Sequence, residues 1–489
     1  MKDDPRTQWI QEYRDGVADA EATARLERAL KEDPEFRMFF LDYLNVDSAL
    51  SAQCAFDPKQ NPESTVAFSP RTPGSRRPSW LAMAAGMTLA GLAAWGIENA
   101  RAPFATVTSS AGAELSPGAA LRGGALRFDV GAVEFLTAKG ARVVVEAPAE
   151  VRFESAERLR VFRGKVAADV PPGARGFTVV TPNGSAVDLG TRFGVDVPVA
   201  GAAEIHVFQG EVIAQAKGAQ SKQSLHTGDA LVMNNGSGTS RELRSAAFIQ
   251  PDEMPRLAAG LFSGQRTRAQ QSVAGLRKDP ALIALFDVTS WESLSGVVRM
   301  AQGRWPGSRA PEFAQPGDHL KVNVGSDKEW PQLTLAAWVR IDQLGSPHQS
   351  LYHTDGWHRE TPGQVHWMIT GDNTMRLALR GNTLAPESTE HHGFPDSGTS
   401  VLPERGKWTH LATVYDSEAR TVRFYLNGQF DKETRQEIAY PARLGAAQIG
   451  NWNYKDRKLS GRMDEFLLLG RALNDAEVRE LYQSGNPYR

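Results

Sequence analysis

Carboxylates, histidines and aromatic rings are the groups from which this sequence could build chemistry. Cleaving a glycosidic bond needs two carboxyl groups about 5 to 9.5 Å apart across it. On a regular strand only alternate residues share a face. Asp464 and Glu465 are adjacent, so a strand is expected to send them to opposite faces. Asp464 is therefore read as a structural acceptor near a sheet edge. His206 and His226 stand alone in the sequence, and no nucleophile has a histidine motif beside it. The single thiol, Cys54, can form neither an internal disulfide nor a cysteine-rich zinc site. No catalytic residue is assigned, and the chain is expected not to be an enzyme.

Binding chemistry is easier to place. A flat ring stacks on a sugar face while neighbouring amides bond the hydroxyls. Trp357-His358 lies in a polar, turn-rich stretch, and Trp452-Asn453-Tyr454 follows Asn451. Trp357, His358, Trp452, Asn453 and Tyr454 are thus the candidate ligand-binding residues. Ordinary packing is the competing reading, and for Trp357, Trp452 and Tyr454 both stand. Trp338, Trp367 and Trp408 are read as core. Asp355, Asp372 or Asp416 could give oxygens to a calcium ion, but none forms a motif. The metal is left unknown, and no other cofactor is expected.

These groups need a scaffold, and composition limits it. The chain has 489 residues, of which 41% are hydrophobic and 23% charged, so packed cores are affordable in several domains. A net charge of -2 argues against direct nucleic-acid binding. Pro78 to Ile97 is a charge-free apolar run between Trp80 and Trp95 near its ends. About 20 such residues cross a bilayer as a helix. Arg71, Arg76 and Arg77 precede it, which places the N-terminus in the cytoplasm and the long C-terminal part outside. The expected location is the inner (cytoplasmic) membrane, with one retained span.

Residues 1–55 read as three helices. Asp4-Pro5 and Asp33-Pro34 look like caps followed by proline at the first helical position. Phe36, Phe39, Phe40 and Tyr43 recur at helical spacing as a core stripe that could also meet a partner. The proline-rich stretch 56–77 reads as a linker. The run IQEYRDG followed by LERALKEDPEFRMFFLDYLNVDSAL resembles the cytoplasmic region of FecR-type regulators and zinc-free anti-sigma domains. That resemblance implies an extracytoplasmic-function sigma factor as partner.

Residues 104–240 carry short Val- and Phe-rich runs separated by Gly, Pro and Asn, as in an all-β domain. AVDLGTRFGV, then HVFQGEVIA and HTGDALV, closely resembles the FecR domain. Asp188, Gly190, Thr191, Arg192 and Phe193 carry the most specific part. Gly190 serves a tight turn in this reading, and Asp188 or Arg192 holds it. A partly helical connector, 241–281, follows.

Residues 282–489 alternate strands and turns as an antiparallel sandwich, with Asn427-Gly428 as a type I′ hairpin turn. Asn474 and Glu477 form a capping box for a last helix that Gly485 closes. LTLAAWVRID, GKWTHLATVYDSEARTVRFYLNGQ and LSGRMDEFLLLGRALNDAEVREL resemble the LamG-like jelly roll, of concanavalin A-like fold. The resemblance implies binding of carbohydrate or protein. The expected architecture is multidomain: a small all-α cytoplasmic bundle, one transmembrane helix (78–97), an all-β FecR-like domain and an all-β LamG-like sandwich. The expected function is a single-pass signalling regulator relaying a glycan or envelope signal to the sigma factor. The alternative is a membrane-anchored carbohydrate-binding or adhesion protein without a transcriptional role.

Overall fold

The computed structural model describes residues 102–261, 264–343, 347–357, 361–388, 393–450 and 459–488, together with Ala29 in a helix. The chain divides into two compact units, Met1–Met87 and Thr88–Arg489. The expected bundle, linker and membrane span lie outside the described residues, Ala29 apart. Among the described residues no helix is long and apolar enough to cross a membrane.

Alternating hydrophobic residues fold 105–241 into antiparallel strands linked in one 14-stranded hydrogen-bonded sheet that wraps a core. Val143, Val145, Val151 and Phe153 of the long Arg142–Ser155 strand point into it. They meet Leu159 and Val161 of Arg158–Asp169, and Phe193 and Val195 of Arg192–Val197. The one parallel pairing joins Arg158–Asp169 to Thr178–Thr181.

Residues 282–469 form a sandwich of a nine-stranded and a six-stranded sheet. Leu333, Leu335, Ala337, Val339 and Ile341 alternate inward from Gln332–Ile341 and pack on Leu351, Trp367, Leu377 and Ile449 of the facing sheet. Trp338, Trp367 and Trp408 are buried as expected, and the Trp367 indole N–H donates to Thr413 Oγ1 at 3.0 Å. Asn427 (φ 51°) and Gly428 (φ 71°) both adopt the left-handed conformation that a type I′ turn requires.

Two helices cover the other face of the nine-stranded sheet. One is Gln265–Leu276 of the connector, and the other is the terminal Asp475–Gly485. Asn474 and Glu477 make the expected capping box. Gly485 differs from expectation. It is the last helical residue and not a left-handed cap, and a Cβ there would lie 2.6 Å from the Trp338 indole nitrogen. Its smallness lets the helix lie on Trp338, which also stacks on Tyr482.

The strand through Asp464 also departs from regular alternation. Glu465 has φ 49° and bulges out between Phe466, paired with Ala337, and Asp464, paired with Trp338. A bulge resets which side chains share a face. Asp464 Oδ2 accepts the Arg304 amide at 3.1 Å, and Glu465 pairs with the Arg304 guanidinium at 2.5 Å. The strand is central, paired on both sides, so Asp464 is an acceptor deep in the sheet and not at its edge. Burial pushes its carboxyl up to about 6 against the pull of Arg304.

Candidate functional site

The Asp188–Phe193 segment is a turn anchored by the buried Asp188, Thr191 and Phe193, with Leu189 exposed. Asp188 accepts the Gly190 amide at 2.8 Å and the Thr191 hydroxyl, while Gly190 takes φ 100°. Burial raises the Asp188 carboxyl, and these hydrogen bonds oppose the rise. Arg175 Nε donates to Leu189 O at 2.7 Å and braces the turn from outside. Phe193 enters the core. Arg192 instead reaches the connector, where its Nη2 donates to Asp252 at 2.9 Å. The motif thus ties its own domain to the segment leading into the next one.

Beside it lies a feature that sequence alone does not mark. Strand register lines up Glu146, Lys165, Asp196 and Glu204 across four neighbouring strands of the first β domain. In the second β domain register lines up Arg299, Glu312, Arg462 and Arg340. The two rows face each other and their charges match. Arg299 grips Asp196 in a bidentate pair at 2.6 and 2.8 Å. Lys165 Nζ donates to Glu312, and to Ala247 O at 2.9 Å. Arg462 pairs with Glu146 at 2.7 Å and donates to Gln302 O at 2.9 Å.

Most of these groups are withdrawn from water, with Glu312 and Arg462 fully buried and Arg299 half-buried at the rim. Burial alone would raise the Glu312 carboxyl, but Arg299, Lys165 and Arg462 outweigh it and hold it well below the usual range. Asp196 is held down to about 2, with burial opposed chiefly by Arg299. Burial lowers the Lys165 ammonium, and Glu312 opposes it. His206 is not isolated in space. It accepts the Arg244 amide at Nδ1, and its Nε2 lies 3.2 Å from Glu204. Burial lowers its imidazole, so it is neutral in the fold. Next to the rows the two backbones touch: a Cβ on Gly112 would lie 2.2 Å from the Gly307 nitrogen. Such a junction is satisfied only when both domains are docked, because separating them strands buried charge.

A second region concerns the aromatic candidates. On the outer face of the six-stranded sheet, Gln448, His353, His366 and Ala378 align across four strands. Trp357 lies over this row, half-buried, with its ring centroid 6.2 Å from His366 and 6.2 Å from Phe394. The rings meet edge-on, so they frame a partly open indole. The Arg380 guanidinium donates to Trp357 O, and Arg376 makes a bidentate pair with Asp396 at 2.6 Å. His358, Trp452, Asn453 and Tyr454 lie outside the described residues, as do Phe36, Phe39, Phe40 and Tyr43. Only Trp357 of the five sugar-site candidates is therefore placed.

Two of the three calcium candidates are engaged locally, and Asp372 is exposed in its turn. Asp355 accepts from Gln448 at 3.2 Å, and Asp416 caps its own turn by accepting the Glu418 and Ala419 amides. Among the described residues no three His, Cys, Asp or Glu side chains gather as a metal site.

Comparison with known families matches this order of parts. The FecR protein family model matches residues 129–213. The model of the concanavalin A-like lectin/glucanases superfamily, of the laminin G type, matches residues 315–479. The chain carries a FecR domain followed by a LamG-like, concanavalin A-like domain. Comparison with curated proteins gives no match. Among solved structures, the botulinum neurotoxin serotype G binding domain is 12% identical, with TM-score 0.31, over 42% of this chain. The match spans 47% of that chain, about half its length. Domain 4 of AbnA, an extracellular arabinanase from Geobacillus stearothermophilus solved with arabinotriose, is 20% identical, with TM-score 0.30, over 39% of this chain and 82% of that one. A putative anti-sigma factor from Parabacteroides distasonis is 17% identical, with TM-score 0.23, over 25% of this chain and 62% of that one.

Proposed function

We propose that this chain is a single-pass signalling regulator of the cytoplasmic membrane. Its LamG-like domain binds a glycan or an envelope component outside the membrane. The FecR domain receives that state through the charged junction and passes it along residues 78–97. Inside, the N-terminal segment with Phe36, Phe39, Phe40 and Tyr43 holds an extracytoplasmic-function sigma factor. The observation that carries the reading is the junction, because facing rows of buried charge give the FecR domain a fixed response to its neighbour.

Binding and not catalysis is the proposed chemistry of the outer domain. Asp464 and Glu465 both engage Arg304, and Trp357 offers a partly open ring of the kind that stacks on sugars. The test uses the tagged full-length chain. A sigma factor should co-purify with it, and removing residues 1–77 should abolish both that association and control of the dependent promoter. If no sigma factor co-purifies, and the shortened chain keeps ligand binding and surface attachment, the adhesion reading replaces this one. A glycan array with the wild-type chain and Trp357→Ala tests the outer half, where the substitution should remove the signal for any glycan bound there.

A further inference from the structure

A cavity of about 380 Å³ opens where the FecR domain, the connector and the LamG-like domain converge. Its size is in the range of a small-ligand pocket. The lining is predominantly basic: Arg192 comes from the FecR motif, Arg340, Arg405 and Lys407 come from the LamG-like domain, and Glu253 of the connector is the one carboxylate in it. The Phe208 ring supplies an apolar wall, and Gln250 of the connector supplies an amide.

Acidic neighbours neutralise part of this charge. Asp252 binds Arg192 at 2.9 Å, Glu253 lies 3.5 Å from Arg340, and Glu404 lies 3.9 Å from Lys407. Arg405 is exposed, and among the described residues it has no ion-pair partner. Two buried donors are also left over. Arg340 is only 5% exposed, and its Nε–H has no acceptor, although its Nη2 donates to Ala246 O at 3.0 Å. The Arg192 Nε–H is likewise buried without an acceptor. Both Nε atoms are closed to solvent, so a ligand binding to these two arginines does so through their other nitrogens. Arginine is suited to this task because its planar fork matches the oxygens of a carboxylate or phosphate.

We propose that this cavity is an oxyanion site for a small ligand bearing a carboxylate or a phosphate. Arg405 makes the main charge contact, and Arg192 and Arg340 supply donors from the two domains. A ligand seated there would touch the FecR motif, the connector and the LamG-like domain at once, and so would tighten their docking. The site is separate from Trp357 and stands whether or not the outer face binds glycan.

Calorimetric titration of the full-length chain tests the proposal with three probes: glucuronate, inorganic phosphate and neutral glucose. Saturable binding of glucuronate or of phosphate is expected, weakening with added salt, and the anion that binds identifies the source. Arg405→Glu should weaken it about tenfold or more, while Arg405→Lys should keep most of it. Because the Arg405 side chain is exposed and unpaired, the variant should melt like wild type. If it does not, Lys407→Gln takes its place with the same expected direction. Absence of saturable binding by either anion, equal binding of glucose, or binding that Arg405→Glu leaves within about twofold would overturn the site.

Discussion

The interior of the LamG-like sandwich and the junction between the two β domains are both closed to water, yet they are built from opposite materials. Trp367, Leu335, Leu411 and Phe466 fill the sandwich, and such contacts are non-directional and tolerate modest repacking. The junction is filled by Glu146, Lys165, Asp196, Glu312 and Arg462, with the half-buried Arg299 at its rim. Its contacts are directional, and each ion satisfies its neighbours only at one register. Buried ion pairs add little net stability compared with apolar packing of the same shape, but breaking one is expensive. The sandwich core therefore supplies stability, and the junction supplies a single docked arrangement.

The largest effect should come from leaving the junction with unmatched charge. Glu312→Ala leaves buried Lys165 without its carboxylate and takes one of two carboxylates from Arg299 and from Arg462. It should cost about 5 kcal/mol and should separate one thermal transition into two in calorimetry. The paired change Lys165→Met with Glu312→Leu sharpens the contrast. It removes both ions and should recover most of that loss, so a double variant as unstable as the single one would contradict the account. Trp367→Ala should cost about 4 kcal/mol through its cavity, and denaturant melts should show the loss without an extra transition.

Acidification should weaken the junction before the core. Asp196, held to about 2, and Glu312, held below the usual range, stabilise the fold above their ordinary values. That contribution disappears as pH falls through the folded values. His206 and His410, the latter held down to about 3 by burial and then Arg304, are neutral in the fold. Their unfolded imidazoles take up protons below about 6.5, which also favours unfolding in acid. Asp464, raised to about 6, acts in the opposite sense, its contribution being lost as pH rises through that value. The sum should be a melting temperature that changes little from neutral pH to about pH 4.5 and falls steeply below it, with domain separation appearing first in limited proteolysis. The smallest effect belongs to Asn474→Ala, which removes a cap from the terminal helix and should cost about 1 kcal/mol in a denaturant melt.

Much of the local structure was readable from residue pattern. The residue pattern identified the strand around Trp338 and the core place of Trp367, and Asn427-Gly428 and Asn474 through Glu477 announced their turn and cap. The junction was hidden by the same rule. Period-2 alternation marks Lys165 and Asp196 as outward-facing, and outward ordinarily means solvent. Only the docking of a second sheet turns that face into an interior. His206 looked isolated because Glu204, on the same face of its own strand, and Arg244, brought by packing, form no recognisable motif with it. At Asp464 a single bulged residue reversed the expected facing of its neighbour. A Gly-free bulge of this kind leaves no mark in residue type.

The rows of charge also bear on how the chain is made. Synthesis proceeds from the N-terminus, so the FecR domain is complete before the strands carrying Arg299, Glu312 and Arg462 exist. During that interval its future contact face, with Glu146, Lys165, Asp196 and Glu204, is a polar surface that water solvates well. An apolar face of equal size would be a sticky intermediate, open to wrong partners. The ionic design lets a half-finished molecule wait in solution, then recognise its own second half by charge sequence when that half arrives.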